Sequence, residues 1–329
     1  MPQTFAAADA VELAVVERSG FVESRHAGIA IVLAADGTIA EKFGDPSALI
    51  LPRSSLKPLQ ALACLSAGAP LEGERLGLAT ASHSGTDRHV AVVREILALA
   101  ELGEDDLGCP AAWPSDTATR DELVRELGQP ARVRMNCSGK HATMLLTSVV
   151  NGWDPTDYLS PEHPVQLLIR ETIERLIGEK VAATAVDGCG APVYAMTLFG
   201  LARAIHRIGN SSTTSPFALH RSAGTLVEAV RAAPWTIDGP GRADTIAIER
   251  LGVFAKGGAE GVMVMVAPDG TTVALKMLDG SGRAATAVAL RLLERHAALA
   301  SADVADTFSK LPLAVSGGGQ DVGAIRPAF

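Results

Sequence analysis

The stretch G-V-M-V-M-V-A-P-D-G-T-T-V-A-L-K-M-L (residues 261–278) decides the fold class. Two apolar runs flank the turn-forming triplet at 268–270, and this arrangement predicts a β-hairpin. Further strands are predicted near the start of the chain, at 12–20, 28–35 and 38–44, with a D-G turn between the last two. Strand-forming segments therefore lie toward both ends of the chain.

The sequence between these ends has helical periodicity. Helices are predicted at about 54–68, 87–102, 139–150, 163–178, 193–208, 216–232 and, after the hairpin, 283–299. Ser215-Pro216 is a typical helix start, with a capping residue followed by proline. The segregation of strands and helices predicts an α+β fold. We expect an antiparallel sheet formed by both chain ends, with a helical region of about 54–232 inserted, in a single domain spanning 1–329.

Composition excludes several classes of function. The net charge is -8 and only 4% of the 329 residues are aromatic, whereas nucleic-acid binding needs a basic field and stacking rings. The longest apolar runs, such as 27–35 and 261–267, are too short to span a bilayer. The first twenty residues carry acids and lack a basic segment before an apolar one, so no secretory signal is predicted. We expect a cytoplasmic protein without membrane or nucleic-acid partners.

The segment R-S-S-L-K-P-L-Q (53–60) contains a candidate nucleophile and base. Ser54 and Lys57 are three residues apart, so on a helix they share a face. A serine hydroxyl needs a base to attack at neutral pH, and lysine can be that base when burial or a second cation lowers its pKa. Ser55 faces elsewhere. The alternative is a capping serine followed by a solvated lysine.

Two later segments extend this pattern. A-T-A-S-H-S-G-T-D-R-H (79–89) contains Ser82 and His83, and V-F-A-K-G-G-A-E-G (253–261) contains Lys256 and Gly257. The order S-x-x-K, S-x-S, K-G-G is similar to the order S-x-x-K, S-D-N, K-T-G of penicillin-recognising enzymes, although the asparagine and threonine are absent here. His83 is interpreted as a loop histidine that donates to backbone, with a general base as the alternative. Gly257 is interpreted as a tight turn or as a backbone donor to an oxyanion.

Two glycine-rich segments contain cysteines that suit a metal. In M-N-C-S-G-K-H-A-T-M (135–144) a phosphate loop is excluded, since Arg134 stands where glycine is needed and His141 follows the lysine. Cys137 there and Cys189 in V-D-G-C-G-A-P (186–192) could bind zinc through two thiolates. Lys140 or, more conventionally, His141 would be a third ligand. The alternative is a pair of reduced thiols.

Taken together, these segments resemble the motifs of the L-asparaginase II family of the rhizobial type (class 3). The resemblance rests on R-S-S-L-K-P-L-Q, A-S-H-S-G, N-C-S-G-K-H, D-G-C-G-A-P and A-K-G-G, and on V-E-R-S-G-F-V-E-S-R-H at 16–26. It implies a serine-β-lactamase-like fold that hydrolyses L-asparagine to L-aspartate and ammonia. The implied catalytic residues are Ser54, Lys57, Ser82 and Lys256. The implied ligands of one zinc ion per chain are Cys137, Lys140 and Cys189, with water.

The resemblance also frames the substrate site. Arg53 matches an arginine before the nucleophile and could lower a lysine pKa or bind a carboxylate, while Asp187 could cap a turn or hold the substrate ammonium. With His83 and Gly257, these residues are the expected substrate-binding set. The family's Asn-Leu-Pro after the D-G-C segment is replaced by Gly190-Ala191-Pro192, which leaves substrate affinity and strict asparagine preference open.

The expected mechanism is attack by Ser54 with Lys57 as base, and proton relay through Ser82 and Lys256. The expected assembly is a homodimer. Two alternatives remain: a β-lactamase-like esterase or peptidase that uses the same serine, and a non-catalytic zinc-binding protein on the same scaffold.

Overall fold

The computed structural model describes residues 2–329 and contains one large antiparallel sheet. Its strands are β1 (Val11–Arg18), β2 (Phe21–Leu33), β3 (Ile39–Phe43), β7 (Phe254–Gly258), β8 (Val262–Val266), β9 (Thr272–Met277), β10 (Ala314–Gly317) and β11 (Gln320–Pro327). A small sheet contains β4 (Leu49–Ile50), β5 (Ala183–Val186) and β6 (Pro192–Thr197).

The helices fill the middle of the chain and cover the large sheet. They are α1 (Lys57–Ser66), α2 (Gly73–Ala79), α3 (Asp87–Leu99), α4 (Thr117–Arg125), α5 (Ser138–Val150), α6 (Pro164–Ile177), α7 (Leu198–Gly209), α8 (Ala218–Ala232), α9 (Ala243–Leu251), α10 (Ala285–Arg295) and α11 (Ser301–Phe308). Within residues 2–329, every helix is too short or too polar to cross a bilayer.

The strand order of the large sheet confirms the α+β class and the contribution of both chain ends. The order is β10-β11-β1-β2-β9-β8-β7, with β3 also paired to β2. The N-terminal strands β1 and β2 therefore lie between two groups of C-terminal strands. The hairpin at 261–278 forms as predicted, with Val262 opposite Lys276 and Val266 opposite Thr272.

The continuous apolar runs of β8 and β9 are explained by burial on both faces. Every residue of the two strands is buried, and both α7 and α10 pack against them. A strand covered on both sides loses the apolar–polar alternation of a half-solvated strand. The apolar runs at 261–278 that predict the hairpin therefore also form part of the buried core.

One predicted helix, 193–208, is wrong in its first half. Residues Pro192–Thr197 form β6, and α7 begins only at Leu198. The V-Y-A-M-T run favours a strand because it contains β-branched and aromatic residues. Thr197 then caps α7 by accepting a hydrogen bond from the Gly200 N–H. The region between the chain ends is therefore not purely helical.

Other boundaries also differ from the prediction. The helix start predicted at Ser215-Pro216 is two residues too early, since α8 begins at Ala218. Four short helices, α2, α4, α9 and α11, and the C-terminal β10–β11 hairpin were not predicted. Helices of this length show little periodicity, and tertiary contacts decide whether they form.

Candidate functional site

The candidate nucleophile lies on a tight turn between the small sheet and α1. Arg53–Leu56 form a 3-10 turn after β4, and Lys57 is the first residue of α1. This turn packs against the end of β7 at Gly258, where an added Cβ would lie 2.6 Å from the Pro52 carbonyl oxygen. Glycine at that position allows the two backbones to approach. Ser55 is buried and donates its hydroxyl to Pro52 O at 2.7 Å, so Ser54 presents the available hydroxyl.

Ser82 connects the two candidate lysines. It lies in the loop between α2 and α3, where its N–H donates to Ile237 O at 2.8 Å. Its Oγ accepts hydrogen bonds from Lys57 Nζ at 2.9 Å and from Lys256 Nζ, on β7, at 3.0 Å. Three of the four predicted catalytic residues thus form one array. Among residues 2–329, the Ser54 hydroxyl has no hydrogen-bond partner, so the direct Ser54–Lys57 pair expected from the spacing is not formed.

The two amines of the array differ in their surroundings. Both side chains are 1% exposed. Lys57 Nζ donates to Ala81 O at 2.5 Å, to Ser82 and, at 3.4 Å, to the backbone oxygen of Asn136, which accounts for all three protons of an ammonium.

Lys256 Nζ has only two acceptors, Ser82 Oγ and Gly257 O at 2.6 Å. Burial lowers the pKa of Lys256 to about 8, against the opposing effect of Asp244 and with a further lowering by Lys57. Lys256 is therefore the amine that can lose its proton near neutral pH.

Ser54 and two members of the array, Ser82 and Lys256, line one cavity of about 330 Å³. The residues that line it with polar side chains are Ser54, Ser82, Asn136, Asp238, Asp244, Lys256 and Thr286. Asn136 could have been inferred from its place beside Cys137 in the N-C-S-G-K-H segment. No spacing rule points to the two aspartates, which the turn before α9 and the first turn of α9 bring to the cavity.

The aspartates change the interpretation of Gly257. Asp244 Oδ2 accepts a hydrogen bond from the Gly257 N–H at 2.6 Å. That N–H is consequently engaged within the protein, and donation to an oxyanion would require its hydrogen bond to Asp244 to break. Burial and the neighbouring Asp244 raise the pKa of Asp238 to about 6, which marks this corner as rich in negative charge.

Arg53 and Asp187 bind each other. Arg53 Nε lies 2.7 Å from Asp187 Oδ1, which also accepts from the Gly188 N–H at 2.8 Å. Arg53 has a φ of +52°, a strained value for a residue with a side chain. The ion pair therefore links the D-G-C segment to the backbone that presents Ser54. A substrate ammonium at Asp187 would compete with the Arg53 guanidinium.

His83 has both ring nitrogens engaged within the protein. Nδ1 accepts from the Gly85 N–H at 3.2 Å, and Nε2 lies 2.9 Å from Ser138 Oγ. Since Ser138 donates its own proton to Val133 O, the ring donates to Ser138. The expectation that His83 donates to backbone is therefore wrong, because the ring accepts from backbone and donates to a hydroxyl. Burial holds the pKa of His83 well below its usual range. A direct substrate contact would require one of these hydrogen bonds to break.

Cys137, Lys140 and Cys189 lie together beside this region. Cys137 is the N-cap of α5, and Lys140 Nζ donates to Cys189 Sγ at 3.1 Å. A hydrogen bond from Cys189 and the nearby Lys57 and Lys140 hold the pKa of Cys137 well below its usual range, despite burial. Burial opposes protonation of Lys140, but the two cysteines outweigh it and raise the Lys140 pKa.

The donor chemistry fits zinc only if the lysine is included. Within residues 2–329, no group of three or more His, Cys, Asp or Glu side chains could hold a metal. Two sulfurs and one amine supply three donors of the kind that zinc accepts, and the amine would have to lose its proton on binding. His141 instead has its Nδ1 2.6 Å from the Tyr158 hydroxyl.

Comparison with known families identifies the scaffold. The family model described as L-asparaginase II matches residues 14–327. The chain belongs to the L-asparaginase II family. This match covers nearly the whole chain and includes every residue of the array and of the cysteine cluster.

Solved structures similar to this L-asparaginase II chain include a glutaminase and a β-lactamase. A structure described as Mglu in its native form has 13% identity and a TM-score of 0.45, and covers 82% of this chain. This chain spans 64% of the length of Mglu. A putative beta-lactamase from Bacteroides dorei has 13% identity and a TM-score of 0.43, with 81% and 93% of the two chains covered. A Bacillus glutaminase has 14% identity and a TM-score of 0.36, with 82% and 91% covered. No curated protein matches the chain.

Gly190, which replaces the asparagine expected from the resemblance, lies in a tight turn with a positive φ. Gly190 has a φ of +90° and donates its N–H to Asp187 O at 2.8 Å. Glycine adopts positive φ freely, and asparagine is among the few other residues that do so readily. A Cβ at Gly190 would face Leu159 and Gly108 at 3.6 and 3.8 Å, and neither of them lines the cavity that holds Ser54. The space around Gly190 would admit a side chain, but the φ of +90° favours glycine in the turn at 187–190.

Proposed function

We propose that this chain is an L-asparaginase that converts L-asparagine to L-aspartate and ammonia through an acyl-enzyme on Ser54. The observation that carries the proposal is the Lys57–Ser82–Lys256 array, whose Ser82 and Lys256 line the same cavity as the Ser54 hydroxyl, which has no hydrogen-bond partner within residues 2–329. Membership of the L-asparaginase II family supports an amidohydrolase of this kind.

In the proposed reaction, Ser54 Oγ forms a bond to the side-chain amide carbon, and its proton passes to Lys57. Collapse of the tetrahedral intermediate breaks the carbon–nitrogen bond, and the leaving nitrogen takes a proton from the array and departs as ammonia. Water then attacks the ester, releases L-aspartate and returns a proton to Ser54. Nucleophile and base split one difficult hydrolysis into two easier steps.

The array gives Lys57 a route for losing a proton, which must happen before Lys57 can act as a base. Lys57 has three acceptors and is satisfied as an ammonium, so it cannot act as a base while it keeps all three protons. When Lys256 is neutral, a proton can pass from Lys57 through the Ser82 hydroxyl to Lys256. Lys57 then receives the proton of Ser54. This route gives Ser82 and Lys256 the relay role expected from the sequence.

We propose that Cys137, Lys140 and Cys189 bind one zinc ion per chain, with water as the fourth ligand. Zinc bound there would hold the two sulfurs as thiolates, and two thiolates make it a weak Lewis acid, so its role is to fix local structure. The Cys189 turn contains Asp187, whose ion pair with Arg53 holds the backbone before Ser54. Arg53 and Asp187 thereby act as positioning residues between the cysteine cluster and the nucleophile.

Replacement of either proposed cysteine ligand is expected to remove the metal. Purified protein should contain about one zinc per chain, and Cys137→Ser and Cys189→Ser should each lose it, since neither serine offers a thiolate. Elemental analysis of the purified proteins measures this directly. Cys64→Ala is the matched control, because Cys64 is a buried thiol on α1 outside the cluster. A fully active preparation without zinc would contradict the proposal.

The function itself is tested by ammonia release. Purified protein should release ammonia and L-aspartate from L-asparagine with saturable kinetics, and should not hydrolyse a chromogenic β-lactam or a simple ester. Lactam or ester hydrolysis without ammonia release would favour the β-lactamase-like esterase or peptidase. Zinc binding with no turnover of any of these substrates would favour a non-catalytic protein.

We further propose a cytoplasmic location and a homodimer. The absence of a helix that could cross a bilayer among residues 2–329 is compatible with the first. Light scattering of the purified protein measures the second.

A further inference from the structure

Two carboxylates lie in the cavity that contains the nucleophile, and the reaction scheme above does not use them. Asp238 and Asp244 line the same cavity of about 330 Å³ as Ser54 and Ser82. We propose that these two aspartates form the subsite that binds the α-ammonium group of the amino-acid substrate. This inference rests on the proposed function and specifies how that site selects an amino acid over a simple amide.

Of the two carboxylate oxygens of Asp244, one accepts a hydrogen bond from the protein and the other does not. The residue is 5% exposed, and its Oδ2 accepts the Gly257 N–H at 2.6 Å. Within residues 2–329, its Oδ1 accepts no hydrogen bond. Oδ1 is therefore free to accept a hydrogen bond from a molecule in the cavity. Since the side chain lines the cavity, a ligand in the cavity is the available source of such a donor.

The charges in the cavity also favour a cation. Burial and then the neighbouring carboxylate Asp244 raise the pKa of Asp238 to about 6, so a cation placed beside the pair would stabilise both carboxylates. Lys256 balances part of this charge only while it is protonated, yet the proposed relay needs it neutral. A substrate ammonium would replace that positive charge in the active protonation state. Arg242 Nε, 3.7 Å from Asp238 Oδ1, offsets part of the negative charge of Asp238.

Asp187, the other carboxylate considered for the substrate ammonium, is less available to bind it. Asp187, expected from the sequence to hold the ammonium, is already paired with Arg53 and bonded to the Gly188 N–H. Asp187 is also absent from the lining of the cavity. The competing role for Asp244 is purely structural: it could hold the Gly257 backbone and adjust the pKa of Lys256. That role would affect every amide substrate equally.

A comparison of two substrates, with and without an α-amino group, distinguishes ammonium binding by Asp244 from a purely structural role. Succinamic acid is L-asparagine without its α-amino group, so a variant that loses ammonium recognition should lose its preference for L-asparagine. We expect Asp244→Asn to reduce kcat/KM for L-asparagine relative to succinamic acid by roughly tenfold to a hundredfold, the range for a lost hydrogen bond to a charged group. The amide oxygen that this substitution introduces can still accept the Gly257 N–H, so the fold should be retained. Asp187→Asn is the matched control and should leave the ratio unchanged.

Binding of product gives a second measurement that needs no turnover. By calorimetry, L-aspartate should bind the wild-type protein more tightly than succinate, and Asp244→Asn and Asp238→Asn should each reduce that difference. An Asp244→Asn variant that lowers activity on both amides equally, with the L-aspartate preference intact, overturns the subsite while leaving the asparaginase proposal standing. Failure of the wild-type protein to release ammonia from L-asparagine would instead overturn the proposed function. If Asp244→Asn does not fold, Asp238→Asn carries the same comparison.

Discussion

Replacement of Ser54 by alanine is expected to lower kcat for L-asparagine by at least about a thousandfold, because the nucleophile is lost and water must attack unaided. Lys57→Ala is expected to have a comparable effect, since without its base the hydroxyl of Ser54 is not activated. The double variant should be no worse than either single one, because residues that act as a unit give losses that do not add. Steady-state ammonia release measures all three.

Ser55→Ala is the matched control for Ser54. Ser55 is adjacent and buried, and its hydroxyl only bonds the Pro52 carbonyl, so the variant should keep near-normal kcat and lose about 1 kcal/mol of stability. The informative contrary result is a Ser54→Ala enzyme with more than about one per cent of wild-type activity, far above what loss of a nucleophile leaves. Ser82, which also lines the cavity, would then be the nucleophile.

The second large effect is the dependence of activity on pH. Burial lowers the pKa of Lys256 to about 8, and the proposed relay requires Lys256 to be neutral. Activity should therefore rise as pH rises, and kcat/KM should fall with the neutral fraction of Lys256, approaching about tenfold for each pH unit well below 8. Between pH 8 and pH 6 the expected loss is about fiftyfold. A profile of kcat/KM from about pH 5.5 to 10 measures it.

Two lysine variants and one histidine variant identify the group responsible. Lys256→Arg should abolish the alkaline rise, because a guanidinium stays protonated throughout this range. Lys276→Arg is the matched control, since Lys276 is also a buried lysine of the sheet but does not line the cavity. An ascending limb near about pH 6.5 that disappears in His83→Ala would contradict the lysine relay. Burial of His83 lowers its pKa well below that value.

The fold class, the family and a set of candidate reactive residues could be predicted from local sequence patterns. The apolar runs on either side of 268–270 and the strands near the start of the chain indicate a sheet built from both ends, and the strand order confirms this. Such local patterns are readable because strand burial and turn chemistry depend on residues that are close in sequence. The S-x-x-K, N-C-S-G-K-H and D-G-C segments were sufficient to indicate the L-asparaginase II family, which the match over 14–327 confirms.

Sequence patterns gave wrong predictions where contacts between distant residues determine a side-chain position or a secondary structure. Helix spacing placed Lys57 beside Ser54, but the Lys57 amine instead reaches Ser82, because the loop after α2 offers it two acceptors and the backbone of Asn136 offers a third. The P-V-Y-A-M-T segment became strand β6 because β4 and β5 supply partners on either side.

Tertiary structure alone brings Asp238 and Asp244 to the cavity and commits the Gly257 N–H to Asp244. It also lowers the pKa of Lys256 through burial. Each of these depends on residues far apart in the chain that share a low-dielectric space, and neither spacing nor composition encodes that proximity.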